Sequence, residues 1–233
     1  MKILALDTTS GACSVALYSD GQTTERFVQA ERDYTRRLLP MVDEVLADVG
    51  LTLKELDAFA VSRGPGSFTG LRIAISCVQG LAFSVDRPVV PVSSLAALAL
   101  GARRAHPEWK DAPIVSMLDA RMQQVYWGVY SVDSPNCSQL PEAVQNPEKV
   151  VMSLKETEWS RPIYGAGPGW HYEALSGAQV NGVDLDIMIH ARDIAQLAVP
   201  LWQEGTAVIA EELEPAYLRN EVTWQKRQKI RSK

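Results

Sequence analysis

The run Ser62-Arg63-Gly64-Pro65-Gly66-Ser67-Phe68-Thr69-Gly70-Leu71-Arg72 gathers the residues of this chain best suited to chemistry. Its small residues expose backbone N–H groups, and a helix is expected to start near Thr69 or Gly70. A helix N-terminus carries partial positive charge and favours anions, and Arg63 and Arg72 add two cations. A phosphate or a carboxylate is what such a segment would hold. The spacing rules out two common phosphate loops. No Lys-Ser or Lys-Thr pair follows the last glycine, and Gly64, Gly66 and Gly70 are one residue too far apart for G-x-G-x-x-G. The same residues also suit a tight strand-to-helix turn in which glycines let two backbones approach, and the sequence leaves both readings open.

Metal and nucleophile chemistry have less support. His106, His171 and His190 all lie more than ten residues apart, so no H-x-x-x-H pair places two imidazoles on one helix face. They read as surface or capping residues, and no metal site is expected. Cys13, Cys77 and Cys137 are scattered without metal spacing. An odd number of thiols without a secretion signal suggests reduced cysteines in the cytosol. Ser67 lacks a G-x-S-x-G frame and no H-E-x-x-H occurs, so no peptidase nucleophile and no catalytic residue is identified.

The elements that must position the glycine run follow from periodicity and turn signals. Strands are expected over residues 3–8, 13–19 and 22–28, the last two joined by the Asp20-Gly21 hairpin signal. A helix over residues 35–49 has Pro40 in its first turn or at a kink, and Thr52 and Glu55 are spaced as a capping box. A strand over 58–62, a helix over 71–85, a strand over 88–92 and a helix from Ser93 or Ser94 to about residue 104 complete the first half. The second half repeats the order with strands over 114–119, 125–131, 162–164 and 185–189 and helices over 147–154 and 193–203. Leu118-Asp119-Ala120-Arg121 echoes Leu6-Asp7-Thr8-Thr9, and Gly167-Pro168-Gly169 echoes Gly64-Pro65-Gly66.

A strand-hairpin-helix unit occurring twice, with an Asp ending each first strand, is the layout of actin-like ATPases. The expected fold is therefore α/β, with two duplicated lobes each carrying a mixed sheet and flanking helices. The division falls in residues 99–111, giving lobes 1–102 and 103–233. In such proteins phosphates sit between two hairpins and carboxylates organise Mg²⁺. Asp7, Thr8, Thr9, Asp119 and Gly167 stand where such a cleft would be. The second hairpin, Asp119 to Gln124, has no glycine to wrap a phosphate and Trp170 crowds the second glycine loop. A degenerate cleft is expected, with weak ATP or ADP binding, no tightly bound cofactor and no hydrolysis. Alternatively, Asp7 closes its hairpin as an Asx-type turn residue.

Two helices carry more apolar surface than one core face needs. In the first, Leu38, Met41, Val42, Val45 and Val49 form one stripe, and Leu39 and Leu46 widen it. In the second, Leu71, Ile73, Ala74, Ile75, Cys77, Val78, Leu81, Ala82, Phe83 and Val85 point nearly everywhere and only Arg72 is charged. Either a neighbouring helix of the same lobe covers the excess, or a second polypeptide does. On the second reading Leu38, Leu39, Val42, Leu46, Leu71, Ile75 and Val78 form a partner interface, and without the partner the patch would support a homodimer.

Composition narrows the setting. The 233 residues carry a net charge of −5, so the whole molecule does not read as a nucleic-acid binder. Residues 219–233 are basic, with Arg219, Lys226, Arg227, Lys229, Arg231 and Lys233 against Glu221. They form a solvated tail or a contact for a partner or RNA. The apolar run Ile3-Leu4-Ala5-Leu6 is shorter than the ~7–15 residues of a signal sequence, and no stretch approaches the ~20 of a membrane span. A cytoplasmic protein without membrane contact is expected.

Four motifs in order make the pattern specific: Leu6-Asp7-Thr8-Thr9, the run from Gly64 to Arg72, Leu118-Asp119-Ala120-Arg121, and Glu214-Pro215-Ala216-Tyr217-Leu218-Arg219. Together they resemble the TsaB family over essentially the whole chain. The resemblance implies an actin-like fold related to the catalytic subunit TsaD, and a non-catalytic subunit acting with TsaD and the ATPase TsaE. The implied reaction is N6-threonylcarbamoylation of adenosine 37 in tRNAs reading ANN codons, with tRNA met through the complex. It also implies pairing with TsaD through the first two helices. A stand-alone actin-like ATPase or kinase, and a peptidase acting on its paralogue, are the competing readings.

Overall fold

Asp20 and Gly21 take φ of 49° and 89°, the left-handed pair that a type I′ turn requires. They join β2 (Ala12–Ser19) to β3 (Gln22–Gln29) beside β1 (Lys2–Asp7). The structure, a computed structural model, describes residues 1–29 and 34–219. β4 (Ala58–Gly64) and β5 (Val89–Ser93) run parallel to β1, and the first sheet has the order β3-β2-β1-β4-β5. β1 and β4 are apolar and buried along almost their whole length, as central parallel strands covered on both faces must be. On one face lie α1 (Tyr34–Val49) and α2 (Phe68–Val85).

The second sheet comprises β6 (Ile114–Asp119), β7 (Val125–Tyr130), β8 (Ala143–Gln145), β9 (Tyr164–Ala166) and β10 (Val183–Asp184). Its order is β10-β9-β6-β7-β8, with β6, β7 and β8 antiparallel and β9 and β10 parallel to β6. Read from β8, this is the order of the first sheet, so the actin-like duplication is present in the backbone. α4 (Pro147–Glu156) packs on this sheet.

Several sequence expectations shift. The strand expected over 185–189 is irregular chain: Asp186 N–H donates to Asp184 Oδ1 at 2.8 Å, an Asx turn that peels the backbone off the sheet after Asp184. β9 begins at Tyr164 rather than 162, and β8 was not foreseen. α2 starts at Phe68 because Ser67 caps it, its hydroxyl accepting from Gly70 N–H at 3.3 Å. Pro40 sits in the second turn of α1 on an exposed position, where it has no N–H to donate to the preceding turn.

The two lobes exchange cover. α3 (Ser94–Ala105) packs on β6 and β7 of the second sheet, while α5 (Ala191–Gln203) lies across β1, β2, β4 and β5 of the first. Alanines along both helices let them approach closely in a shared core with Ile3, Val92, Ile114 and Leu118. Arg104 on α3 donates to both carboxylate oxygens of Asp193 on α5, at 3.0 and 2.8 Å. Burial pushes the Asp193 carboxyl up although Arg104 pulls it back. At the start of α5, Glu25 accepts from the Ser14 hydroxyl (2.9 Å) and the Arg192 N–H (3.2 Å) and faces His190 at 3.2 Å. Burial alone would raise that carboxyl, but these partners together hold it below its ordinary value. The chain then returns to the first lobe, where Val208 pairs with Val89 and Ala210 and Leu213 enter the core beside α2.

A cut at residue 102 therefore separates the two sheets but not two self-sufficient cores. A fragment of residues 1–102 is expected to lack cooperative unfolding and native near-ultraviolet circular dichroism, because the sheet face under α5 would meet water. A cooperatively folded fragment would contradict the exchanged cover.

Candidate functional site: an outer groove and an inter-lobe cleft

The outward flank of α2 faces α1 across an apolar groove of about 660 Å³, lined by Leu38, Leu39, Phe68, Ile73, Cys77 and Leu81 among others. Leu39 is 50% exposed and Phe68 66%. The sequence expectation for this surface needs correcting. Leu38, Val42, Leu46, Leu71, Ile75 and Val78 are buried in the lobe's own core. α1 and the sheet cover one side of α2, and Ala210 and Leu213 of the returning chain cover another. Of the seven residues expected at an interface, Leu39 alone is open to solvent, and Leu38 reaches the groove with its edge. Phe68, Ile73, Cys77 and Leu81 take the places of the rest. Composition could not separate these sets, since a helix apolar all round names no outward face. α2 is also apolar enough by composition to span a bilayer, yet its inner residues are core residues of the lobe.

Behind the start of α2 the glycine run is tied to the first hairpin. A Cβ on Gly70 would lie 1.9 Å from the Thr8 carbonyl oxygen, so no other residue fits there. The Thr8 hydroxyl donates to the Gly70 carbonyl at 2.6 Å, and Ser67 N–H donates to the Thr9 carbonyl at 3.1 Å. The close-approach reading of these glycines is thus the one the backbone realises. The second lobe repeats the device. Gly167, at φ 99°, leaves room for Leu98 and for the Met117 carbonyl, which a Cβ would meet at 2.4 and 2.5 Å.

Between the lobes runs a cleft of about 910 Å³, lined by Thr9, Phe68, Asp119, Arg121, Tyr217 and Arg219 among others. Of the five cleft residues expected from sequence, only Thr9 and Asp119 line it. Asp7 and Thr8 are wholly buried, and Gly167 is packing. Asp7 turns back on itself, accepting from Thr9 N–H at 3.1 Å and from the Thr9 hydroxyl at 2.6 Å, an Asx turn. Burial pushes its carboxyl up, against the pull of Ser62 and Thr9. Asp119 accepts from Arg121 N–H (2.8 Å) and the Tyr172 hydroxyl (2.9 Å) and pairs with the Arg121 guanidinium at 3.2 Å.

The second hairpin has no glycine, yet Arg121, Met122 and Gln123 all take positive φ of 59°, 53° and 59°. Such a run costs about 1–3 kcal/mol per residue and persists only where its surroundings fix it. Arg219 does so, donating to the Ala120 carbonyl at 3.0 Å and to Gln124 Oε1 at 2.7 Å. The residues before it strap the first lobe. Ala216 N–H donates to the Arg63 carbonyl at 2.7 Å, and the Tyr217 hydroxyl accepts from Arg72 at 2.6 Å. Arg72 in turn stacks 3.4 Å over the Phe68 ring. The Glu214-to-Arg219 motif was visible in sequence, but its role as a bridge between hairpin and glycine run was not. The tail expected to be basic, residues 220–233, lies outside the described residues. The histidines serve separate local contacts: His106 with Asp184 and Glu108, His171 with the Pro168 carbonyl, His190 with Glu25.

Two lobes of identical strand order, each buttressed by a glycine loop and facing a common cleft, define an actin-like protein. The family model described as TsaD, tRNA N6-adenosine threonylcarbamoyltransferase, matches residues 28–181. The chain is 38% identical over 233 residues to the tRNA threonylcarbamoyladenosine biosynthesis protein TsaB of Escherichia coli, spanning 97% of this chain and 98% of that one. It is equally 38% identical, over 236 residues and 97% of each chain, to TsaB of Haemophilus influenzae. A solved structure of YeaZ from Pseudomonas aeruginosa is similar with a TM-score of 0.84 and 41% identity over 93% of this chain and 99% of that one. A second, described as an uncharacterized protein with similarity to peptidase YEAZ from the same organism, has a TM-score of 0.86 at 40% identity over 94% and 99%. The chain belongs to the TsaB family, the tRNA threonylcarbamoyladenosine biosynthesis proteins.

The Asx-turn role of Asp7 makes a pH-dependent prediction. Its raised pKa means that the folded chain holds the proton more tightly than the unfolded chain. Stability tied to it then falls as pH rises from the ordinary 3.8 through the folded value. Asp7→Asn removes that titration and keeps an acceptor for Thr9 N–H. Measured by chemical denaturation, the variant is expected within about 1 kcal/mol of the parent or above it at pH 7. Its relative stability should rise with pH, and a variant that weakens with rising pH would refute the assignment.

Proposed function

We propose that this chain is the non-catalytic partner subunit in N6-threonylcarbamoylation of adenosine 37 of tRNAs reading ANN codons. It acts in the cytoplasm with its TsaD paralogue, which docks on the α1–α2 groove, and with the ATPase TsaE. The groove carries the reading. Leu39 and Phe68 stand open beside Ile73, Cys77 and Leu81, a contiguous apolar strip that a monomer in water would otherwise leave as an aggregation liability. Membership of the TsaB family supports the tRNA reaction, and the family model matched over residues 28–181 is that of the transferase paralogue. In the absence of TsaD the same strip pairs two copies of this chain.

The groove holds no nucleophile suited to chemistry. Burial pushes the Cys77 thiol up to about 11, so at neutral pH it stays protonated. In the cleft, Asp7 is turned inward and Asp119 is already paired, so ATP or ADP binding is weak and hydrolysis is not this chain's task. Ser67, the serine of the glycine run, caps α2, which gives the peptidase reading no support.

The sharpest test is Leu39→Glu. Leu39 is half exposed, so the change should cost folding no more than about 0.5 kcal/mol. A carboxylate at the centre of the strip should weaken pairing with TsaD by about 2 kcal/mol or more, roughly thirtyfold. Ile75→Glu would not serve, because Ile75 is core and its loss would unfold the lobe. Gel filtration with purified TsaD reads the pairing and a reconstituted transfer assay reads the consequence. Undiminished co-elution, or full transfer with this chain left out, would overturn the proposal.

A further inference from the structure

The inter-lobe cleft has the volume for a nucleotide, about 910 Å³, but not the side chains of a metal-nucleotide site. An actin-like cleft that organises a metal-bound nucleotide needs free carboxylates, and among the described residues Asp119 is the acidic one in this lining. Both of its oxygens are engaged by Arg121 and Tyr172. What the cleft offers instead is cationic and aromatic. Arg121 has a side chain 88% exposed at the tip of the left-handed hairpin, and Arg219 stands beside it. Across the cleft stand Phe68 and the 51% exposed Tyr217, with Arg72 stacked against the Phe68 ring. Guanidinium groups at a mouth flanked by exposed aromatic side chains are how proteins hold single-stranded nucleic acid, through phosphate contacts and base stacking that need no metal. The volume of about 910 Å³ exceeds what one mononucleotide needs. The sequence after Arg219 continues with Lys226, Arg227, Lys229, Arg231 and Lys233.

We propose that the cleft of this chain, between the Arg121–Arg219 hairpin and the Phe68–Tyr217 ridge, binds a short single-stranded segment of RNA without a divalent metal. The assignment rests on the tRNA-modifying role proposed above and gives this subunit a direct contact with the substrate. Net charge does not oppose it, because phosphates respond to charges within about a Debye length, ~10 Å at 0.1 M salt. Phe68 belongs both to the cleft and to the partner groove, so RNA held here lies next to the docked paralogue.

The test is fluorescence anisotropy of a labelled single-stranded RNA dodecamer with the full chain in EDTA, between about 50 and 200 mM salt. Binding is expected, with Arg121→Glu weakening it by roughly tenfold and Arg121→Ala reducing the slope of log affinity against log salt by about 0.7. Lys155→Glu, the same charge change on an exposed position of α4, should leave it unchanged. The assignment is overturned if the chain ignores RNA throughout the salt range. Equal weakening by both charge reversals, or a cleft that takes Mg-ATP and releases RNA, would overturn it as well. Arg121 does not line the groove, so the two readings fail separately. A chain that pairs with TsaD but ignores RNA sinks only the cleft assignment. One that binds RNA but never pairs sinks the subunit reading.

Discussion

α2 is apolar in nearly every direction, and a sheet can cover a helix on one side only. The rest of the structure answers that constraint. Leu71, Ala74, Ile75, Val78 and Ala82 turn to the sheet and to α1, where each large side chain contributes about 1.5–3 kcal/mol on burial. Ala210 and Leu213, brought back by the chain after α5, cover a second flank, and Gln79 donates to both of their carbonyls. A third flank, from Phe68 through Ile73 and Cys77 to Leu81, is left as the wall of the groove. Among the described residues the fold supplies two covers, and the proposed partner supplies the third.

The same economy runs through the two lobes. α3 and α5 are exchanged between the sheets and locked by Arg104 and Asp193, so the two halves share one core. Glycines at matching places let each post-strand loop close on the end of its lobe's first strand, Gly66 on Thr9 and Gly169 on Met117. In the first lobe that closure ties the glycine run to the first hairpin through Ser67 N–H and the Thr9 carbonyl. Asp7 goes with it into the interior, so a residue placed as a magnesium ligand by pattern is a turn residue by geometry.

Much of this was legible in the chain. The Asp20-Gly21 turn, the strand order implied by the repeat and the Thr52–Glu55 capping contact, realised at 2.8 Å, follow from local rules. The apolar excess on α2 was legible as well, but its direction was not. Direction depends on the returning residues 206–219, whose pairing with Val89 and Gln79 is a long-range contact that no local pattern announces. Thus Leu46, Ile75 and Val78, expected at an interface, are core, while Phe68, expected in a loop, starts the helix and rims the groove. In the cleft, Thr9 and Asp119 do line the pocket, and Arg121 and Arg219, read in sequence only as motif and tail residues, line it as well. The left-handed hairpin that presents Arg121, and that Arg219 braces, carries none of the glycine by which such a turn is recognised.

Hydrogen–deuterium exchange across the chain, alone and with stoichiometric TsaD, measures the missing cover most directly. Slower exchange is predicted in α1 around Leu39 and along α2 from Phe68 to Leu81, with α4 and the outer edge of the second sheet unchanged. Protection confined to the second lobe, with α1 and α2 exchanging as before, would contradict the claim that a second polypeptide shields this groove.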